Sequence, residues 1–323
     1  PLLRTSPSPM YSLSQKVQEN NIKVVITGEG ADEVLAGYNI FKENKIRHFW
    51  SKDPKSELRP LLFKKLYPYI SALQNVNPNI LQMFFAYKLS ETDSPVYSHL
   101  LRWKNSSNIQ KHLSERIRDE LNSFDPYANL FQNLNQKLDK WHPLAKAQYI
   151  EMTIFMSGYL LSAQGDRMAM ANSVEGRYPF LDHRIIEFCA SLPPDYKLKG
   201  LNEKVLLKKL MKGKIPDEII NRSKQAYRAP VLSSFLGKDA PGYLEDILSP
   251  SCIIEADIFN PASVEKLLLK MNSGKAYSEM DNMALTAVIS TQLLYKQFIK
   301  DFKSLHRNEL THCAVRSEAD YLN

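Results

Sequence analysis

A short apolar run that ends in a glycine-rich turn is the feature that most constrains the fold of this sequence. Residues 23–27 (KVVIT) predict one strand, and their continuous apolar centre is expected of a parallel strand buried on both faces. The turn 27–30 (TGEG) follows directly. Residues 31–41 then place apolar side chains at helical spacing, and Ser8 with Pro9 predicts the start of a helix before the strand. Helix, strand, turn and helix in this order indicate one slice of an α/β sheet.

The whole sequence is predominantly helical and divides into four predicted parts. Residues 1–43 form the α/β segment. Residues 44–143 show no alternating strand pattern and are interrupted by prolines, which predicts a large helical insertion. Residues 144–305 predict a helical region, with helices at 144–163, 203–212, 217–222 and 280–302. In the last of these, Met283, Val288, Leu294 and Phe298 are expected to pack, and a polar tail, 306–323, follows.

The glycine-rich turn is a candidate ligand site because of its place at the carboxyl end of the strand. Ligands of open parallel sheets bind at that edge. Gly28 and Gly30 let a nucleotide approach the main chain, and Glu29 between them is expected to project into the crevice. Asp32 and Glu33 leave two interpretations open: favourable charges in the first turn of a helix, or a carboxylate that holds Mg²⁺ beside phosphates. A GxG pattern alone is a weak signal.

Composition favours a globular protein and excludes several other classes. Lys and Arg number 42 against 35 Asp and Glu, a net charge of +7 that suits ATP or pyrophosphate, although charge spread over solvated helix faces is the simpler explanation. No dense basic block with aromatics predicts nucleic-acid binding, and no apolar run is long enough to predict a membrane span. The three cysteines lie far apart, without a zinc or disulfide pattern, so a reducing cytoplasm is expected.

Three separated motifs together resemble one known family. Residues 27–38 (TGEGADEVLAGY), 165–184 (GDRMAMANSVEGRYPFLDHR) and 224–230 (KQAYRAP) occur in an order similar to the synthetase half of the glutamine-dependent asparagine synthetases. The resemblance runs from about Leu3 to about Pro230. It implies an α/β fold of the adenine-nucleotide α-hydrolase type, with part of a parallel sheet. It also implies an ATP-dependent ligase that activates aspartate as β-aspartyl-AMP, releases pyrophosphate and uses ammonia from glutamine to form asparagine.

The resemblance assigns a role to each residue of the turn. Thr27 and Gly28 are expected to contact ATP, and Asp32 to hold a Mg²⁺ ion that bridges the phosphates. Glu29 is expected where the adenylate meets ammonia, as a catalytic residue that positions the intermediate or accepts a proton. Lys224 matches the family lysine that reaches the phosphates, where a compact ammonium neutralises charge on the departing pyrophosphate. From the residues alone, the favoured interpretation of Lys224 is an ordinary surface lysine.

The second motif leaves two interpretations open for its charged residues, Asp166, Arg167, Glu175 and Arg177. In the first interpretation these residues pair with one another and fix the YPFLD turn, so their role is structural. In the second, Glu175 faces the crevice and supports either the substrate or Glu29. Glu175 is therefore also a candidate catalytic residue. His183 beside Asp182 is expected to be a structural partner.

Two hallmarks of the resembled family are not found in this sequence. One is the catalytic N-terminal cysteine of the glutaminase part, and the other is the S-G-G-x-D-S loop that holds pyrophosphate. In the family both precede the glycine-rich turn. We therefore expect a C-terminal synthetase part that works with a glutaminase and phosphate-loop part in cis or in trans, and that binds ATP weakly alone. A homo-oligomer is left open.

Two other function classes are kept beside the ligase. One is a related amide-forming synthetase of specialised metabolism, which acts on another carboxylic acid. The presence of a glutamate at position 29 argues against the lactam-forming relatives, in which a tyrosine tends to occupy the corresponding position. The other is a non-catalytic remnant of the fold, against which the presence of Glu29, Asp32 and Lys224 counts.

Overall fold

The chain folds into two compact units. The computed structural model describes residues 1–67, 77–134, 137–222, 224, 227, 229–237, 240–274 and 277–302. The larger unit contains residues 6–106 and 126–228, and the smaller unit contains residues 1–5, 107–125 and the chain from residue 229 onward. The sequence-based division points after residues 43 and 143 both fall inside the larger unit. The predicted tail, 306–323, lies outside the described residues.

A small parallel sheet stands at the start of the larger unit, as the sequence predicts. Strand β1 (Val24–Ile26) pairs with β2 (Glu175–Arg177) in parallel, with Val24 opposite Glu175 and Ile26 opposite Arg177. A second, antiparallel pair consists of β3 (Leu198–Lys199) and β4 (Asn202–Glu203). The remainder is mostly helical, so the predicted class, helix-rich α/β, is confirmed.

The prediction that β1 is buried on both faces is wrong for the described residues. Val24 and Val25 are half-buried, and Ile26 is 74% exposed. The physical reason is the size of the sheet. Within the described part of the chain, β2 is the only strand that pairs with β1, so one edge and part of one face remain open.

Two helix boundaries near the turn also differ from the prediction. Helix α1 spans Pro7–Glu19 with Ser6 as the N-cap residue, because Pro7 already occupies the first helical position that was predicted for Pro9. The segment 31–41 is not one helix. It divides into α2 (Ala31–Val34) and α3 (Asn39–Ser51), with buried Ala36 at a φ of +56° between them.

That break lets the turn segment reach two cores. Val34 and Leu35 pack against Cys189, whereas Ala36, Ile40 and Phe41 join a second cluster with residues of the helix that begins at Pro143. A continuous helix would carry both sets of side chains along one stripe. The left-handed residue redirects the chain instead, and the segment that follows the glycine-rich turn is thereby anchored in two apolar clusters.

The other helical segments are mostly short. In the larger unit they are Arg59–Lys65, Pro78–Phe85, Tyr97–Ser107, Pro126–Asn133, Leu138–Lys140, Pro143–Ile150, Glu151–Asp166, Arg167–Met170, Pro179–Leu181, His183–Ser191, Pro194–Lys197, Val205–Met211 and Asp217–Asn221. In the smaller unit they are Asn108–His112, Glu115–Leu121, Leu232–Phe235, Tyr243–Ile247, Pro250–Ala256, Pro261–Asn272, Glu279–Tyr295 and Lys296–Lys300. The helix predicted at 144–163 is present and continues to residue 170, with its middle, Glu151–Asp166, wound as a π-helix.

The last helix packs over only part of the predicted stripe. Met283 and Val288 are buried, but Leu294 is 39% exposed and Phe298 is 62% exposed. The winding widens to a π-helix at Lys296–Lys300, so at Phe298 a stripe at 3.6-residue spacing no longer faces the core. No helix among the described residues is long and apolar enough to cross a membrane.

Candidate functional site

The two glycines of the turn differ in what surrounds them. A Cβ atom on Gly28 would have no atom within 4 Å, so the main chain there is open to a ligand. Gly30 has a φ of +90°, and a Cβ there would lie 2.3 Å from Leu181 Cδ2. Gly30 is therefore required by the fold, whereas the described residues around Gly28 leave room for a side chain. The helix that follows is a single turn, so its dipole contributes little to anion binding.

Asp32 is held between two lysines from distant parts of the larger unit. Lys224 Nζ lies 3.0 Å from Oδ2 and donates a hydrogen bond to it. Lys204 Nζ lies 2.9 Å from Oδ1, without the alignment of a hydrogen bond. The Asp32 side chain is only 16% exposed. The two ammonium groups compensate the Asp32 carboxylate, and each lysine is a donor for an anionic ligand that replaces this contact.

Gly37 makes room for this group. A Cβ at that position would lie 2.0 Å from Asp32 Oδ1 and 2.4 Å from Lys204 Cε. Neither Lys204 nor Gly37 was singled out from the sequence. Lys204 stands at the N-cap position of the helix Val205–Met211 with a φ of +52°, and no motif marks such a residue in advance.

Glu29 lies in the electrostatic field of the same group. Burial raises the pKa of its carboxyl, the nearby negative charge of Asp32 raises it further, and Lys224 opposes both effects. Of the three residues predicted to converge, Asp32 and Lys224 are in direct contact, and Glu29 lies close enough for the charges of both to act on its carboxyl. Thr27 precedes them, and its hydroxyl lies 3.5 Å from the Glu29 backbone nitrogen.

The Glu33 side chain points into the protein. It is 1% exposed, the Tyr38 hydroxyl donates to its Oε1 at 2.9 Å, and burial raises its pKa to about 7. The Tyr38 ring centroid lies 5.3 Å from Lys224 Nζ, within the range of a cation–π contact. Gln148 Nε2 donates to the carbonyl oxygens of Glu33 and Val34 at 2.6 and 2.9 Å. These contacts stabilise the segment behind Asp32.

The second motif supplies scaffold contacts in the structure. Glu175 and Arg177 form an ion pair of 2.7 Å in which both side chains are about 60% exposed. Glu175 lies opposite Val24, at the amino end of β1, whereas the turn lies at the carboxyl end. No contact of Glu175 with Asp32 or Lys224 is present among the described residues.

Two further pairs in this motif fix its shape. The Tyr178 hydroxyl donates to Asp166 Oδ1 at 2.9 Å. Burial, that hydrogen bond and the charge of Glu29 raise the Tyr178 pKa to about 12. Asp182 caps the helix His183–Ser191 by accepting from the Arg184 backbone N–H at 2.9 Å, and the 80% exposed His183 side chain lies 3.9 Å from the same oxygen. The pairs agree with the scaffold interpretation of this motif.

A hairpin keeps Lys204 in place. The preceding residue, Glu203, is buried and accepts from Lys42 Nζ at 2.7 Å and from Lys208 Nζ at 2.8 Å. Burial alone would raise the Glu203 pKa, but the hydrogen bonds from Lys208 and Lys42 outweigh it and lower the pKa to about 2. The carboxylate therefore remains charged in the fold at all but the lowest pH.

Glu203 gives a pH-dependent contribution to stability. A pKa lowered from 4.5 to about 2 corresponds to about 3 kcal/mol of unfolding free energy, present above the unfolded-state pKa and lost as pH falls from about 4.5 to about 2. We expect Glu203→Gln to be less stable than wild type by about this amount at pH 7 in urea unfolding. The difference should shrink steadily below pH 4.5, and a difference independent of pH would contradict the assignment.

The chemistry of this site fits one protein ligand to a Mg²⁺ ion. Mg²⁺ in nucleotide sites takes one or two carboxylates, and phosphate oxygens and water complete its octahedron. Among the described residues no group of three or more His, Cys, Asp or Glu side chains is arranged around a metal-sized point. Asp32 fits the arrangement in which one carboxylate is the single protein ligand of the Mg²⁺ ion. Because lysines contact both of its oxygens, a metal–nucleotide complex has to replace at least one of those contacts.

The small parallel sheet, its helical surroundings and the open turn at the strand's carboxyl end define a helix-rich α/β protein. The chain belongs to the asparagine synthase family, which matches residues 1–296 and consists of ATP-dependent ligases with the adenine-nucleotide α-hydrolase-like fold. The resemblance found from the three motifs is thereby confirmed.

Several curated proteins are similar to this chain. Amidase chyE of Penicillium rubens is 32% identical over 239 residues, which are 68% of this chain and 34% of that protein. Amidase chry2 of Gibberella zeae is 26% identical over 302 residues, 86% of this chain and 42% of that protein. The glutamine-hydrolysing asparagine synthetase 1 of Bacillus subtilis is 24% identical over 231 residues, which are 72% of this chain and 34% of that protein. The matched part of the chain thus spans less than half the length of each of these relatives. No solved structure matches it significantly.

Proposed function

We propose that this chain is the synthetase part of a glutamine-hydrolysing asparagine synthase, which activates aspartate as β-aspartyl-AMP and amidates it with ammonia. The contact between Asp32 and Lys224, which are 192 positions apart in the sequence, carries the proposal. It brings the first and third sequence motifs together at the end of β1. A carboxylate and an ammonium at that place are complementary to a polyphosphate with its metal ion.

The nucleotide is proposed to lie over the open part of the turn. Thr27 and Gly28 bind ATP through hydroxyl and main chain, since no side chain obstructs Gly28. Mg²⁺, when bound, offsets negative charge on the phosphates, and Asp32 supplies one of its ligands. Lys224 then moves its contact from Asp32 to the phosphates and stabilises the charge that develops on the departing pyrophosphate.

Glu29 is proposed to act on the acyl-transfer step. Its raised pKa makes the carboxylate a better proton acceptor than an exposed glutamate, which suits removal of a proton from the attacking ammonia. Positioning of the adenylate is the alternative role. Glu175 is kept as a proposed catalytic residue that supports the substrate, although the structure pairs it with Arg177 at the other end of β1.

A further α/β segment is the proposed partner of the larger unit. Glu175 N–H donates to the Lys23 carbonyl and Thr27 N–H donates to the Arg177 carbonyl, so the peptide groups of Val24 and Ile26 face the opposite edge. An apolar parallel strand with an open edge is suited to pairing with another strand. We propose that the phosphate-loop part of the synthetase, with the glutaminase part that supplies ammonia, docks in cis or in trans along this edge.

A related amide-forming synthetase is the second candidate function. Two of the relatives reported above, chyE and chry2, are named amidases, and chyE shares 32% identity with this chain. The same adenylate chemistry would then act on a carboxylic acid other than aspartate. The residues around Asp32 do not distinguish the two substrates, because their proposed contacts are with the phosphates and not with the acid.

The experiment measures AMP release from ATP labelled at the α-phosphate, with the chain expressed together with its proposed upstream part. Aspartate, other dicarboxylic acids and aromatic amino acids are supplied in turn, with ammonium as the nitrogen source. Aspartate-dependent AMP, with asparagine in equal amount, is expected. AMP that depends on another acid would favour the second candidate, and ADP in place of AMP with every acid would contradict both.

A further inference from the structure

The Tyr38 side chain lies between the core of the larger unit and the Lys224 ammonium. Tyr38 is the N-cap residue of α3, in an extended conformation with a φ of −79° and a ψ of 149°, but its side chain makes no capping hydrogen bond. Short polar side chains such as Ser, Thr, Asp and Asn are usual at that position. The ring is half-buried, and Lys224 Nζ lies 5.3 Å from its centroid. Helix capping therefore does not account for a tyrosine at this place.

A hydrogen bond and two aromatic neighbours fix the Tyr38 ring. Its hydroxyl donates to Oε1 of the buried Glu33 at 2.9 Å. The ring of Phe41 lies 6.2 Å away at an interplanar angle of 27°, and the ring of Phe155 lies 6.4 Å away at 82°. If the Tyr38 ring turned away from Lys224, the buried Glu33 carboxyl would lose this donor, which is costly. The ring is therefore held at a set distance from the lysine.

Lys224 has two direct contacts of different kinds in the part of the chain that the structure describes. Its Nζ donates to Asp32 Oδ2 at 3.0 Å, and it lies over the Tyr38 ring. In the proposed function Asp32 becomes a ligand of Mg²⁺, so its contact with Lys224 is given up. The aromatic ring is not a ligand for Mg²⁺ and keeps its place, so its attraction for the ammonium remains.

We propose that Tyr38 is a positioning residue whose ring holds the Lys224 ammonium beside the phosphates when the lysine leaves Asp32. This inference rests on the proposed ligase function. The negative face of an aromatic ring attracts an ammonium without neutralising it, so the charge of Lys224 remains available to the departing pyrophosphate. A lysine that is already held in place also loses less conformational freedom when the transition state forms.

Stepwise fluorination of the ring at position 38 tests the contact, because fluorine withdraws the electron density that attracts a cation and changes the size of the ring little. Tyr38→Phe is the reference, and phenylalanine analogues with one, two and three ring fluorines follow at the same position. In the full chain without nucleotide, Lys224 is acetylated briefly and quantified by peptide mass spectrometry. Acetylation should accelerate with each fluorine, by about three- to tenfold in total, since the lysine leaves its contacts more often. The same analogues at exposed Phe84 should leave the rate unchanged.

AMP formation by the chain with its upstream part is the second measurement on the same series. The kcat should fall with each fluorine, by about three- to tenfold in total, whereas a purely structural ring would not respond to its electron density. The Kd for MgATP by calorimetry should change less than about twofold, because Thr27, Gly28 and Asp32 are proposed to carry binding. Equal acetylation rates across the series would overturn the proposal, as would faster acetylation with an unchanged kcat.

Failure of this inference is distinguishable from failure of the proposed function. If the chain with its upstream part forms no AMP with any acid, the proposed function is wrong. The acetylation series needs neither ATP nor the upstream part, so it still decides whether the Tyr38 ring holds Lys224.

Discussion

Lys224→Ala is expected to lower kcat for aspartate-dependent AMP formation by about 10²- to 10³-fold, the usual effect of removing one group that stabilises transition-state charge. Lys224 donates to Asp32 at 3.0 Å and lies over the Tyr38 ring, so its ammonium is already held beside the turn at which we propose that the phosphates bind. KM for aspartate should change little, because the lysine is proposed to act on charge that develops as pyrophosphate leaves. The assay uses the chain with its upstream part.

Two other variants test whether the loss of activity in Lys224→Ala is specific to the ammonium group at this position. Lys224→Arg keeps the charge but spreads it over a planar group, so partial activity is expected. Lys214→Ala removes an exposed lysine of the same unit and should retain full activity. If Lys224→Ala and Lys214→Ala have the same kcat, the proposed role of Lys224 is wrong and the surface-lysine interpretation is correct.

Gly30→Ala is expected to destabilise the protein by about 2–5 kcal/mol, the sum of backbone strain and overpacking. The residue has a φ of +90°, and its new methyl group would meet Leu181 Cδ2 at 2.3 Å. Both effects act on the folded state alone. Urea unfolding of the larger unit measures the loss.

Gly28→Ala is the matched variant with the opposite expected pattern. A methyl group there has no neighbour within 4 Å, so stability should stay within about 0.5 kcal/mol of wild type. ATP affinity should nevertheless fall, because the methyl group enters the space proposed for the nucleotide. A Gly28→Ala protein with unchanged ATP binding by calorimetry would show that the nucleotide does not approach this part of the main chain.

The sequence predicted the local elements near the turn better than their burial. The strand at 24–26 and its parallel pairing follow from three consecutive strand-forming residues before a glycine turn. The exposure of Ile26 could not be read from that pattern, because an apolar run specifies a strand but not how many neighbours cover it. The break at Ala36 was missed for a related reason. Alanine carries no local signal for a left-handed conformation, which here results from packing on two cores.

The candidate site, too, was predicted from the sequence only in part. The convergence of Glu29, Asp32 and Lys224 was predicted from family motifs, and spacing alone could not supply it across 192 positions. Lys204 was missed, because a second lysine on Asp32 depends on the β3–β4 hairpin and on the space left by Gly37. Residue types alone did not distinguish Glu33 from Asp32, and only the resemblance singled out Asp32; in the structure the Glu33 side chain turns toward Tyr38 and the interior.

Lysine acylation of the chain with its upstream part, with and without Mg²⁺ and a non-hydrolysable ATP analogue, tests the central claim most directly. Each lysine is quantified by peptide mass spectrometry after brief treatment with an acetylating ester. The account predicts that the nucleotide slows acylation of Lys224 and Lys204 at least several-fold and leaves exposed Lys214 unaffected, since ligand binding removes the reactive population. Nucleotide binding confirmed by calorimetry, with Lys224 acylated as fast as before, would contradict the claim that these residues surround one metal–nucleotide complex.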